Sequence, residues 1–152
     1  MAYDIALVAE GDLPDLLPLM RDYCDFYGVS PPDERLLAMS RALIDDPRRG
    51  GIQLIARRSD GRAMGFATLF WSWSTLSAAR IGVMNDLFVH PHARGTGLAD
   101  ALIEAAAQRC RDRGDVTLLS WQTAKDNERA QAVYERLGAV REEWIDYSID
   151  LR

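Results

Sequence analysis

The stretch Asn85-Asp86-Leu87-Phe88-Val89-His90-Pro91-His92-Ala93-Arg94-Gly95-Thr96-Gly97-Leu98-Ala99 constrains this chain more than any other. An apolar, β-favouring run stops at a proline turn, a loop of small residues follows, and a long helical pattern opens. Leu98, Ala101, Leu102, Ala105 and Ala106 fall on one side of the helix predicted over residues 96–113. Free backbone N–H groups at a helix start, together with the helix dipole, form an anion site. Gly95, Gly97 and Ala99 keep side-chain bulk away from the backbone there, and Arg94 adds a forked, permanently charged donor. The segment therefore predicts a strand–turn–helix unit that binds a phosphate or pyrophosphate.

The rest of the chain gives that unit a context. Residues 3–9 read as a first strand. Asp12 is positioned to cap a helix to about Tyr27, which the Ser30-Pro31-Pro32 stretch ends. Residues 33–45 read as a second helix. Residues 52–57 and 63–74, joined through Ser59-Asp60-Gly61, read as a hairpin, and residues 80–89 as the next strand. Gly114 stops the long helix. Residues 116–121 read as a buried strand, 126–137 as a helix stopped by Gly138, and 140–151 as a last strand or hairpin. This order predicts an α+β fold with a single mixed, mostly antiparallel central sheet and helices on both faces. One domain is expected over residues 1–152: a chain of 152 residues, 48% hydrophobic, can bury a core of its own.

Charge and composition narrow the partners. A net charge of −5 argues against a surface built for nucleic acid. No apolar run approaches the ~20 residues that span a membrane, and Met1-Ala2-Tyr3-Asp4 has no basic leader segment. Cys24 and Cys110 form no metal-ligand or CxxC pattern and read as reduced thiols of a cytoplasmic protein. His90 and His92, flanking Pro91, read as surface residues, and no metal site is expected.

Two familiar phosphate loops are excluded by residue. A P-loop needs Gly-Lys-Ser/Thr where this chain has Gly97-Leu98, and a dinucleotide fingerprint needs a third glycine where Asp100 stands. The spacing Arg94-x-x-Gly97-x-Ala99 after Leu87-Phe88-Val89 instead resembles the acyl-CoA loop of the GNAT N-acetyltransferases. Asn127-x-x-Ala130-x-x-Val133-Tyr134-Glu135-Arg136-Leu137-Gly138-Ala139 is similar to the second motif of that family. Within the family the chain most resembles the group containing the histone/small-amine and the spermidine/spermine acetyltransferases.

The resemblance implies a function and a set of residues. Acetyl would pass from acetyl-CoA, a cosubstrate used without metal, directly to a primary amine of a small molecule or a peptide lysine. The backbone of Leu87, Phe88 and Val89 would run beside the pantetheine arm. Arg94, Gly95, Thr96, Gly97, Leu98, Ala99 and Asp100 would hold the pyrophosphate, and Asn127 and Ala130 would line the cofactor. Tyr134 matches the family's general acid: an ordinary phenol, with a pKa of about 10, keeps its proton at neutral pH and can donate it. Asp86 is the candidate either to take the amine proton, through a water, or simply to hold the cation. Asn85 occupies a position where the polyamine enzymes carry glutamate. Tyr27, Asn85 and Trp71 are the candidate acceptor-site residues, the aromatic faces of Tyr27 and Trp71 suited to a cation. A homodimer is the expected assembly. The alternative is a CoA-binding regulatory module that has lost turnover.

Overall fold

A computed structural model describes residues 2–152; Met1 lies outside the described residues. The chain forms two compact units, Met1–Gln122 and Thr123–Arg152. The first contains β1 (Asp4–Leu7), α1 (Leu13–Phe26), α2 (Asp33–Asp45), β2 (Gly51–Arg57), β3 (Ala63–Ser74), β4 (Ala79–Val89), α3 (Leu98–Arg113) and β5 (Val116–Ser120). The second contains α4 (Glu128–Arg136). The five strands lie in sequence order, antiparallel from β1 to β4 and parallel between β4 and β5. This is the expected mixed α+β sheet.

Alternation along β3 sorts the helices onto two faces. Phe66 packs with Ile55, Phe88 and the α1 residues Leu13, Leu16, Leu19 and Met20. Its neighbour Gly65 points the other way, toward α3. A Cβ at Gly65 would sit 3.2 Å from both Leu98 and Leu102 and 2.7 Å from the Phe88 carbonyl, so the helix docks here because the strand has no side chain.

Two irregularities shape β4. Thr68 faces Asp86 while the next residue, Leu69, faces Met84, so Asn85 is the extra residue of a β-bulge. Beyond the pair Val83↔Ser120, β5 stops accompanying β4. Residues 84–89 therefore have β3 on one side and, among the described residues, no strand on the other.

Two expectations are corrected. Asp12 makes no side-chain cap on α1. Its carboxylate accepts the Ala9 N–H at 2.9 Å and pairs with Arg57 at 2.8 Å, a guanidinium that also holds Asp15. A charged partner across the sheet outcompetes the local amide. The alternating residues 140–151, expected as a last strand or hairpin, form no strand within the second unit, where no other strand lies.

The Ala9 N–H and then Arg57 hold the Asp12 carboxyl below the usual carboxylate range. A depressed folded-state pKa contributes stability above the unfolded value, and that stability is lost as pH falls through the folded one. Asp12→Asn is therefore expected to cost about 1 kcal/mol at pH 7. In thermal melts the gap to the parent chain should close as the pH is taken down past about 4.

Candidate active site

The site begins at the bulge. Asp86 is 8% exposed, held between α1 and the sheet. Asn85 Nδ2 donates to Asp86 Oδ1 at 3.0 Å, the Thr68 and Tyr23 hydroxyls stand close enough to favour the charged carboxylate, and the Tyr23 hydroxyl donates to the Asn85 carbonyl at 3.5 Å. Burial dominates and pushes the Asp86 carboxyl above its usual range; the three donors pull the other way. The same proximity raises the Tyr23 phenol, first through burial and then through Asp86. Burial likewise lifts the neighbouring Cys24 thiol, which is packed out of solvent. The result is a buried carboxylate with hydrogen-bond donors and no cation among its bonded partners.

An aromatic wall stands beside it. Tyr23 meets Tyr27 edge-on at 5.0 Å, Phe66 at 5.9 Å and Phe88 at 6.4 Å, and Phe26 meets Tyr27 at 5.1 Å. Tyr27 is 61% exposed, so its ring presents a free face. A groove of about 430 Å³ follows, lined by Asp22, Asp25, Phe26, Phe88, His90, Pro91 and Arg94. His90, its imidazole held below the usual range by burial and then by His92, accepts the His92 N–H through Nδ1 at 3.1 Å.

The turn after β4 supplies an anion cradle. Gly95 and Gly97 adopt φ of +78° and +85°, and no atom lies within 4 Å of where a Cβ on either would point. Left-handed backbone explains the glycines, and the open space leaves their peptide groups approachable. Gly97 is the residue before α3 and offers no side-chain cap, so the opening amides of the helix are not used by it. Arg94 is exposed, and its Nε donates a long hydrogen bond to the Val89 carbonyl at 3.4 Å. Thr96 contributes backbone alone, because its hydroxyl bonds the Ala93 carbonyl at 2.5 Å and Tyr3 at 2.7 Å. Leu98 is buried against the sheet, while Ala99 and Asp100 are half-buried in the first turn. Donors, permanent charge and space fit a diphosphate ester.

The remaining candidates are placed elsewhere. Trp71 is buried, its Nε1 donating to the Pro47 carbonyl at 2.8 Å and its ring lying under the Arg113 guanidinium at 4.6 Å. It pairs with Gly82, and the structure does not bring it together with Tyr27 and Asn85. In the second unit, Asn127 Oδ1 accepts the Ala130 N–H at 3.2 Å and so caps α4, on which Tyr134 lies. Cys24 and Cys110 are both free and buried. Among the described residues no three metal-binding side chains converge, and no helix is long and apolar enough to cross a membrane.

Tyr23 is the residue that sequence reasoning missed. Its spacing from Tyr27 places both rings on one side of α1, but nothing local reveals that this side meets β4 at Asp86.

The sequence pattern of the acetyltransferase (GNAT) family matches residues 16–139, a span that takes in the bulge, the glycine turn and α4. The chain belongs to the GNAT family. It is accordingly an acetyltransferase. It is 32% identical over 127 residues to the uncharacterized N-acetyltransferase YhfO of Bacillus subtilis (strain 168), covering 84% of this chain and 83% of that one. Its fold superposes on a ribosomal-protein-alanine N-acetyltransferase from Brucella melitensis biovar Abortus 2308 with a TM-score of 0.79. The two are 28% identical, with 99% of this chain and 100% of the other covered. The aminoglycoside N-acetyltransferase AAC(6')-Iy, a structure in complex with CoA, shares the GNAT fold at a TM-score of 0.84. It is 21% identical, with 99% and 96% covered.

Proposed function

We propose that this GNAT protein transfers acetyl from acetyl-CoA directly to a primary amine, of a small molecule or of a peptide lysine, without a covalent enzyme intermediate. The observation that carries the reading is one strand: β4 holds a buried carboxylate at its bulge, an unshared edge beyond it, and an open glycine turn at its end. The cradle of Arg94, Gly95, Thr96, Gly97, Leu98, Ala99 and Asp100 would hold the pyrophosphate. Leu87, Phe88 and Val89 would present backbone groups to the pantetheine arm, and Asn127 and Ala130 would line the cofactor. Bound in this way, acetyl-CoA supplies the acetyl group as a thioester.

The chain's own residues then handle protons. A primary alkylamine is mostly charged at neutral pH and must lose a proton before it can attack. Asp86 accepts that proton, its carboxylate standing where Tyr23 and Tyr27 can receive the alkylammonium against their rings. Asn85, on the bulge beside it, keeps Oδ1 of the carboxylate oriented. Tyr134 donates its phenolic proton to the departing thiolate, a role that follows from its place in the second family motif. A backbone amide of residues 87–89 supports the developing oxyanion.

Incubation with acetyl-CoA and a mixture of amines, amino acids and basic peptides, followed by mass spectrometry, should show a product heavier by one acetyl group together with released thiol. Acetyl-CoA binding with no thiol released on any acceptor would overturn the enzyme reading in favour of a regulatory module. Tyr134→Phe is expected to lower turnover by roughly tenfold or more while leaving acetyl-CoA affinity in calorimetry unchanged. Equal loss of both would remove the general-acid role.

A further inference from the structure

Behind Asp86 runs a row of buried polar side chains that the transfer itself does not touch. Gln53 of β2 faces Thr68 of β3, and Thr68 faces Asp86 of β4. The three therefore stand side by side on the face that α1 covers. Gln53 Nε2 donates to Thr68 Oγ1 at 3.1 Å, and the Thr68 hydroxyl stands cross-strand from the Asp86 carboxylate, close enough to favour its charged form. Thr68 is wholly buried and Gln53 is 3% exposed. Apolar residues of the same shape would fill this space without any need for partners, so the row calls for a reason.

The row has a direction. An ionised carboxylate only accepts, and a threonine hydroxyl has a single proton to give. If that proton goes to Asp86, Thr68 must itself receive a hydrogen bond from behind, which requires the amide nitrogen of Gln53 to point at it. The nitrogen does so, although Gln53 Oε1 is then left buried with no hydrogen-bond partner among the described residues. Turning the amide over would reverse the row and withdraw the proton from Asp86. The same amide nitrogen also donates to Met20 Sδ of α1 at 3.8 Å.

We propose that Thr68, backed by Gln53, is a positioning residue of the acetyl transfer: it covers the inner side of the Asp86 carboxylate with a donated proton. The carboxylate is thereby kept charged until the amine arrives and takes up the amine's proton on its outward side. The amine N–H bond breaks as the Asp86 O–H bond forms, and the nitrogen lone pair is left free to attack. This rests on the reading of Asp86 as the proton acceptor. The groups facing Asp86 are Tyr23 and Cys24 from α1, Thr68 from β3 and Asn85 from β4, while Asp22, Asp25, His90 and Arg94 line the adjoining groove. No cation is among the groups that act on Asp86 itself, so donors alone oppose the burial of its charge.

The test is the pH dependence of kcat/KM in the parent, Thr68→Val, Thr68→Ser, Asp86→Asn and the double variant Gln53→Met/Thr68→Val. Thr68→Val should move the acid limb to higher pH by about one unit without altering acetyl-CoA affinity, and Thr68→Ser should restore it. The double variant replaces both partners by apolar groups; it should fold and show the same displaced limb, separating the proton effect from a packing defect. A limb that persists unchanged in Asp86→Asn overturns the reading of Asp86 and this inference with it. A limb lost in Asp86→Asn but unmoved in both valine variants overturns the role of Thr68 alone.

Discussion

Asp86→Asn is expected to lower kcat/KM for the amine by about 100- to 1,000-fold, to leave acetyl-CoA affinity unchanged, and to raise the melting temperature at neutral pH. The three outcomes share one cause. The group is buried without a cation, and burial lifts its carboxyl above the usual range. A carboxyl whose folded pKa is raised ionises more readily in the unfolded chain. The folded state therefore loses stability as pH rises from the unfolded value through the folded one. Asparagine carries no charge to bury, so the substitution should relieve that cost at pH 7 while removing the proton acceptor. A loss of activity accompanied by a gain of stability cannot be ascribed to misfolding. In the parent chain, transfer should fail toward acid at a higher pH than an ordinary carboxylate would set, about 3.9. Parent-like turnover in Asp86→Asn, read from thiol release across pH 5 to 9, would make Asp86 a structural residue.

Gly97→Glu is expected to weaken acetyl-CoA binding by about 100-fold or more, the second large effect. Two contributions are separable. At φ +85° any L-residue is strained, a cost of roughly 1–2 kcal/mol that falls on the turn itself. Gly97→Ala isolates that part, because no atom lies within 4 Å of the added Cβ. The glutamate adds a carboxylate beside the opening amides of α3, where it competes with a phosphate for the same N–H groups and repels it. Isothermal titration of both variants should show a modest loss for alanine and near-abolition for glutamate. Equal, small losses would mean that no diphosphate rests on this turn.

Much of the architecture was legible because it depends on local chemistry. The proline pair at Pro31 and Pro32, the left-handed stops at Gly114 and Gly138, and the alternating β-favouring runs set element limits that the structure reproduces within a few residues. Reading failed where the outcome depends on a distant partner. Asp12 has the composition of a helix cap, yet a guanidinium from β2 claims it. Residues 140–151 have the alternation of a strand, but the second unit by itself holds no strand for them to pair with.

The same division runs through the site. The glycine turn was readable, since a left-handed backbone followed by a helix needs glycine and open amides wherever it occurs. The surroundings of Asp86 were not, because they come from β2, β3 and α1, and no local spacing announces the bulge that sets Asp86 opposite Thr68. Trp71 and Tyr27 carry the same aromatic chemistry in sequence. Burial against Arg113 assigns one to packing, while exposure beside Tyr23 leaves the other available.

The parting of β4 and β5 has a cost outside catalysis. Residues 84–89 carry main-chain donors and acceptors along a margin that no neighbouring strand covers in the first unit, and such a margin is a template for any extended peptide that meets it. The margin we propose for the cosubstrate would also invite unwanted self-association. Purified protein starved of coenzyme should accordingly clump sooner on storage than protein kept saturated with it.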